Sequence, residues 1–210
     1  MVRKALPIAV LAAAVAVSVF GIAQADPIPG SLWAVPEATA KNAVLASIPA
    51  TPPDVTFDVS APLNFNATNA SVGTWLASGG AIDIVGSAGA LARLMDNFSV
   101  GTLVEFTGVV AVTNGETITV THDDGLTLII GGQNTGFSPS PTEPTTSIAT
   151  YTGPSGTFPF QLVYGECCKG PAVLQTNLPF SDPVPEPATL LLLGSGLAGV
   201  GIFTWRHRKN

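Results

Sequence analysis

Positive charge is scarce in this sequence. Eight Lys and Arg residues stand against fourteen Asp and Glu residues. Five of the eight lie close to the two ends, so the middle of the chain keeps only three, which are Lys41, Arg93 and Lys169. Residues 26–182 combine thirteen acidic side chains with three basic ones, for a net charge near −10. We therefore expect no nucleic-acid partner, because phosphate binding depends on clustered Lys and Arg.

Cysteine is scarce too, and the two that are present, Cys167 and Cys168, are neighbours. This spacing excludes a Cys-x-x-Cys redox motif, and His122 alone cannot complete the four ligands of a zinc site. Three states stay open: a vicinal disulfide, links to partner chains, or free thiols. Adjacent Cα atoms about 3.8 Å apart strain a bridge. An oxidising compartment nevertheless favours one, so we prefer the vicinal disulfide.

Catalytic motifs are also lacking. Ser155 stands in Gly-Pro-Ser-Gly, without the Gly-x-Ser-x-Gly spacing of a nucleophile, and no His or acid is placed to activate it. The adjacent Asp123 and Asp124 compete for one place and make a poor acid and base pair for glycoside hydrolysis. The sequence predicts that the protein is not an enzyme. The alternative is a hydrolase, whose activity would disappear when one carboxylate is changed.

What the sequence does have is a long uncharged run at each end. Near the N-terminus, Arg3 and Lys4 precede an uncharged run over residues 5–22, and Ala23-Gln24-Ala25 supplies a small-x-small cleavage pattern. This arrangement predicts a signal peptide over residues 1–25. A retained N-terminal membrane helix is the alternative, and in both cases the middle of the chain is exported.

The second run covers residues 188–205. As a helix rising about 1.5 Å per residue it spans roughly 27 Å, enough to cross the hydrocarbon core of a membrane. A basic stop follows, which consists of Arg206, Arg208 and Lys209. By the positive-inside rule this end stays cytoplasmic, so the preceding chain faces outward.

Residues 184–210 resemble a PEP-CTERM sorting signal. The tripeptide Pro185-Glu186-Pro187, the apolar span and the Arg-rich end follow one another in the order of that family. The resemblance implies an exported protein of an exopolysaccharide-producing Gram-negative bacterium. An exosortase would recognise Pro185, Glu186 and Pro187, and the helix would be a transient inner-membrane anchor before the protein reaches the envelope surface or extracellular matrix. An ordinary single-pass anchor is the alternative.

The remaining 157 residues are enough for one domain with a core. Residues 26–53 are rich in Pro and Ala, which predicts an extended lead-in with a short helix near residues 37–46. From residue 54 the apolar residues alternate with period two, which is typical of strands. We predict a β-sandwich domain over residues 54–180. Its strands should cover residues 55–59, 63–65, 81–85, 102–112, 117–122, 126–130, 157–164 and 171–176, with one helix in residues 88–95.

Turn residues punctuate these strands. Asn114-Gly115 predicts a hairpin turn and Asp123-Asp124-Gly125 another turn, while residues 138–147 form a Pro/Ser/Thr loop. Many short strands with Gly and Pro turns predict an all-β fold, an antiparallel, jelly-roll-like β-sandwich. For the whole chain we predict this exported β-sandwich together with an N-terminal signal helix and a C-terminal transmembrane helix.

Residues 108–174 are similar to the protective-antigen-type and GLEYA-type β-sandwich domains. They share an Asp-Asp-Gly turn before a strand that ends in Gly, and a later strand that bears a Tyr, here Tyr164. In sugar-binding members the adjacent Asp pair holds a calcium ion that grips carbohydrate hydroxyls, and the metal-binding form requires a cis peptide bond within the pair. The resemblance implies that Asp123 and Asp124 occupy those positions.

Calcium prefers six to eight oxygen ligands, so the Asp pair needs further donors. Asn134 and backbone carbonyls near Glu166 are the candidates. The plain alternative is that Asp123 and Asp124 are turn residues only. We expect an exported surface or matrix protein that contacts exopolysaccharide or another glycan, with calcium as the candidate cofactor. The alternative is a structural matrix component without a specific ligand.

Overall fold

The structure is a computed structural model that describes residues 27–181. The predicted signal peptide, sorting tail, transmembrane helix and basic stop lie outside the described residues. Between residues 27 and 181, no helix has both the length and the apolar character that a membrane crossing requires.

Two antiparallel sheets form the domain. The larger sheet has seven strands, in the spatial order β4 (Ile82–Gly86), β2 (Val55–Val59), β1 (Ile28–Pro36), β5 (Val100–Val112), β10 (Gly156–Glu166), β7 (Leu126–Ile130) and β8 (Gln133–Asn134). The smaller sheet has four, in the order β3 (Asn64–Thr68), β11 (Pro171–Thr176), β6 (Thr117–Asp123) and β9 (Thr145–Thr150). The helical segments are short: α1 (Glu37–Ala40), α2 (Val72–Ser78), α3 (Ala88–Ala92) and a 3-10 turn, Leu45–Ser47. The predicted all-β antiparallel sandwich is confirmed.

The core follows from the period-two pattern. In β2, Val55, Phe57 and Val59 are buried while the residues between them reach solvent, because successive side chains of a strand point to opposite faces. The centre of the core is a stack of aromatic rings. Trp75 of α2 lies 4.2 Å from Phe65 of β3, centroid to centroid, and 5.9 Å from Tyr164 of β10. Helix α2 thus fills the space between the two sheets.

The prediction of a lead-in over residues 26–53 is wrong for its first part. Strand β1 lies inside the larger sheet, between β2 and β5. Its prolines are tolerated because each stands where only one neighbour pairs: Pro29 opposes β2 before the β5 ladder begins, and Pro36 opposes β5 after the β2 ladder has ended. The residues after β1 pack on the outer face of the sheet, where Trp33 and Ala43 join a second small core. The sandwich domain therefore begins at β1.

The predicted hairpin at Asn114-Gly115 is also wrong. Strand β5 pairs with β1 and β10, whereas β6 pairs with β11 and β9, so this turn carries the chain from one sheet to the other. The helix predicted at residues 37–46 is shorter and is followed by a 3-10 turn. The sequence prediction missed α2 and β9, whereas β7 and β11 have the predicted bounds.

Candidate functional site

The candidate site lies where the chain crosses from the smaller sheet to the larger one, between β6 and β7. Asp123 is the last residue of β6 in the smaller sheet, and β7 of the larger sheet begins at Leu126. The peptide bond between Asp123 and Asp124 is cis. Gly125 completes the crossing, and a Cβ there would lie 2.2 Å from the carbonyl oxygen of Pro139. Only glycine allows this close approach of two backbones.

Asp124 is held by backbone donors from two other segments. The N–H of Cys167, just after β10, donates to Oδ2 at 2.7 Å. The N–H of Thr142, in the loop before β9, donates to Oδ1 at 3.3 Å. The residue as a whole is 4% exposed. Three segments that are distant in sequence therefore meet at one carboxylate.

Asp123 is fixed through its backbone and by close packing. Its carbonyl oxygen accepts the hydroxyl of Tyr164, which also contacts Oε2 of Glu166 at 2.6 Å. Its carboxylate oxygen Oδ2 lies so close to Gly170 that a Cβ there would be 2.9 Å away. Asp123 is 6% exposed, so both carboxylates of the pair are largely removed from water.

A cleft of about 290 Å³ opens above the pair. The residues that line it come from the β6–β7 crossing, the loop before β9 and the loop between β10 and β11; they are Asp123, Asp124, Pro141, Thr142, Glu143, Cys168 and Lys169. Three of the seven carry a carboxylate. The cleft is consequently acidic and open to solvent on one side.

Burial makes ionisation of these acids costly. The loss of hydration, followed by the charge of Asp124, raises the pKa of Asp123 to about 7. Burial likewise raises the pKa of Asp124 to about 6, against the opposing effect of the N–H donors of Cys167 and Thr142. Burial raises the pKa of Glu166 to about 9. These directions follow because desolvation disfavours the charged form of a carboxyl group.

Cys167 and Cys168 are joined in a vicinal disulfide beside the pair. A carboxylate oxygen of Asp124 and the two sulfur atoms all lie within 4.8 Å of one another. Sulfur in a disulfide is not a thiolate, and the thiolate is the form that binds metal. The donors that face the cleft are therefore oxygen atoms, which suits a hard cation better than zinc.

The structure does not bring Asn134 to the Asp pair. It lies in β8, pairs with Ile129 and is absent from the residues that line the cleft. Its Oδ1 accepts the N–H of Gly136 at 2.8 Å. Asn134 therefore supports a local turn of its own backbone.

His122 is buried, and its ring nitrogens contact the carbonyl oxygen of Asp124 and, at 2.8 Å, the hydroxyl of Ser147. His122 therefore stabilises the β6–β7 connection by linking it to β9. Sequence reasoning missed Glu166 and Lys169 as side chains of this region. A signal existed for Glu166, because it stands two residues after Tyr164 and so shares its inward face of β10.

The fold and site define a β-sandwich domain with an acidic cleft at the crossing between its sheets. The model of the PEP-CTERM protein-sorting motif matches residues 183–209. The chain therefore carries this sorting signal, as the tail resemblance predicted, and the signal marks an exported protein that is anchored in the membrane until an exosortase processes it. No curated protein matches the sequence.

Among solved structures, the chain is similar to a PA14 sugar-binding domain from an RTX adhesin. The two are 18% identical, the TM-score is 0.53, and the match covers 73% of this chain and 89% of that chain. A PA14 domain of the antifreeze protein MpAFP is also 18% identical, with a TM-score of 0.48 and coverage of 76% and 83%. The first similarity confirms that the body has the protective-antigen-type sandwich fold.

Proposed function

We propose that the domain binds Ca²⁺ at Asp123 and Asp124 and, through that ion, contacts the hydroxyl groups of a glycan. One observation carries this proposal: two desolvated carboxylates face one open cleft, and among residues 27–181 neither forms an ion pair with a basic side chain. Uncompensated buried charge is costly. A divalent cation from solution offsets that cost.

The donors present fit calcium. The carboxylates of Asp123 and Asp124 and that of Glu143 line the same cleft. A carboxylate has about four lone-pair positions, so Asp124 keeps acceptor capacity beyond its two N–H bonds. Water and ligand oxygens on the open side complete the six to eight that calcium takes. When bound, the ion offers coordination positions to neighbouring hydroxyl groups of a sugar.

The similarity to a domain described as sugar-binding supports the same ligand class. Export through the sorting signal would bring the domain to the cell surface or into the exopolysaccharide matrix, where glycans are the abundant polymers. In this proposal the domain acts by binding and not by catalysis, because Asp123 and Asp124 are adjacent and both largely buried, which suits a metal site better than an acid and base pair. Asn134 has no part in this proposal.

The test compares the full chain with the variant Asp123→Asn plus Asp124→Asn, which keeps the side-chain shape and removes both charges. Calcium at about a hundred times its Kd should stabilise the wild-type protein by about 2.7 kcal/mol, a rise of several degrees in Tm. The variant should show no calcium-dependent rise. Asp83→Asn, an exposed acid on β4, is the matched control and should behave as wild type.

A glycan array in calcium and in chelator completes the test. Binding in calcium that is lost in chelator and in the double variant supports the proposal. Equal melting curves in calcium and in chelator would end it. Silence in both experiments favours a structural matrix component without a specific ligand.

A further inference from the structure

Among residues 27–181, Lys169 is the one basic residue that lines the acidic cleft. Lys41 forms an ion pair with Glu37 at 2.9 Å. The guanidinium of Arg93 is turned inward, where it donates to the carbonyl oxygen of Leu94 at 2.8 Å and to further acceptors nearby. Lys169 is exposed, lines the cleft and forms no ion pair within the described residues. Its charge is available to a ligand.

The position of this charge is fixed by an aromatic ring. The Nζ atom of Lys169 lies 4.0 Å from the ring centroid of Phe98, within the range of a cation–π contact. Phe98 is 55% exposed, although a large apolar side chain gains stability from burial. The ammonium group therefore contacts the ring, and within residues 27–181 it forms no ion pair with Asp123 or Asp124.

One carboxylate ties the two loops together. Asp96 accepts the N–H of Phe98 on Oδ1 at 3.1 Å and the N–H of Lys169 on Oδ2 at 2.8 Å. Both residues also adopt positive φ, +65° and +56°, which non-glycine residues rarely do. The loop that carries the ring and the loop that carries the ammonium group are therefore held in register beside the cleft.

We propose that Lys169, positioned by Phe98, gives the cleft a preference for acidic sugars, with the ammonium group pairing with a uronate carboxylate. This inference rests on the proposed function, since the sugar is first held through calcium at the Asp pair. The acidic groups that face the ligand are Asp123, Asp124 and Glu143. They repel a uronate until the divalent cation offsets them, so the preference requires calcium.

Phe98 is a positioning residue in this scheme. A free lysine side chain loses considerable rotamer entropy when it is fixed by a ligand. The ring contact fixes it beforehand, which lowers the cost of binding. Lysine provides a compact point charge with three donors, which suits a carboxylate without demanding one orientation of the sugar.

The experiment measures binding of matched sugar pairs to the full chain by calorimetry or ligand-observed NMR at saturating calcium. The probes are methyl glucuronide with methyl glucoside, and methyl galacturonide with methyl galactoside. The uronide of at least one pair should bind about fivefold more tightly at low ionic strength, the effect of one exposed ion pair. Added salt should reduce this ratio.

Lys169→Met should bring the ratio to one while the affinity for the neutral sugar stays the same, and Lys169→Arg should retain the preference. Phe98→Leu should lower the ratio without changing calcium binding, a split that a purely structural role would not produce. Equal binding of uronide and neutral sugar by the wild-type chain overturns this inference and leaves the proposed function standing. If neither member of either pair binds, and the glycan array is silent as well, the proposed function fails and this inference fails with it.

Discussion

Replacement of Glu166 by Gln tests the electrostatic account of the site most directly. Glu166 is 2% exposed, and its carboxyl group contacts the hydroxyl of Tyr164. Burial raises its pKa to about 9, so at neutral pH the side chain is an uncharged carboxylic acid. Its O–H then donates to Tyr164, whose own hydroxyl donates to the carbonyl oxygen of Asp123. Gln has the same shape and provides an N–H donor for the same contact.

The sign of the effect follows from proton linkage. The pKa of Glu166 is about 9 in the folded chain against an ordinary value of 4.5. Between these values the folded state binds one proton more than the unfolded state, so the free energy of unfolding falls as pH rises. The slope is about 1.4 kcal/mol per pH unit, which gives a loss of at most about 3 kcal/mol between pH 4.5 and 7. Glu166→Gln does not titrate and escapes this loss.

The assay is urea unfolding in chelator, at several pH values from about 5 to 8, for the wild-type chain, Glu166→Gln and the exposed control Asp83→Asn. The stability of Glu166→Gln relative to wild type should rise with pH by about 1.4 kcal/mol per unit. The control should keep a constant difference from wild type. Parallel curves for Glu166→Gln and wild type would refute the reasoning, because they would mean that the carboxyl group is already ionised in the folded chain.

Two further changes probe the core and the cleft. Trp75→Ala should lower the free energy of unfolding by about 3–5 kcal/mol in denaturant titrations, because the indole fills the space between Phe65 and Tyr164; a loss below about 1 kcal/mol would contradict that packing. Gly170→Ala should weaken calcium binding about tenfold in calorimetry, because its Cβ would meet the carboxylate of Asp123 at 2.9 Å; unchanged affinity would show that this carboxylate does not bind the ion.

Several strands were predictable because one face of the strand is buried and the other is not. Strand β2 (Val55–Val59) alternates buried and more exposed positions, and its bounds are the predicted ones. Strand β1 was not predicted because its prolines are typical of an extended lead-in. They fit in a central strand here because β1 pairs with β2 and with β5 over different residues, so that each proline has a paired neighbour on one side only. Helix α2 had a local signal, since the hydroxyl of Ser71 caps the N–H of Thr74. Strand β9 had none, because its one large apolar residue, Ile148, is exposed and the others are Thr, Ser and Ala.

The site was predictable only as far as local sequence reaches. The Asp-Asp-Gly turn marked Asp123 and Asp124, whereas their partners come from segments far along the chain. The N–H of Cys167 that holds Asp124 is 43 residues away. Asn134 is near the pair in sequence, but β7 carries the chain away from the pair before Asn134 is reached. The pairing of strands that are distant in sequence decides which loops meet. The periodicity of one strand does not predict which other strand it pairs with.

The stability of the domain and its proposed ligand are linked through the same carboxylates. Burial of Asp123, Asp124 and Glu166 raises the pKa of each, so all three lower the stability of the ion-free fold as pH rises toward neutrality. On the proposed function this cost is recovered when calcium binds to the folded state alone. The ion-free domain should then be the less stable form, and the exported, calcium-bound domain the more stable one.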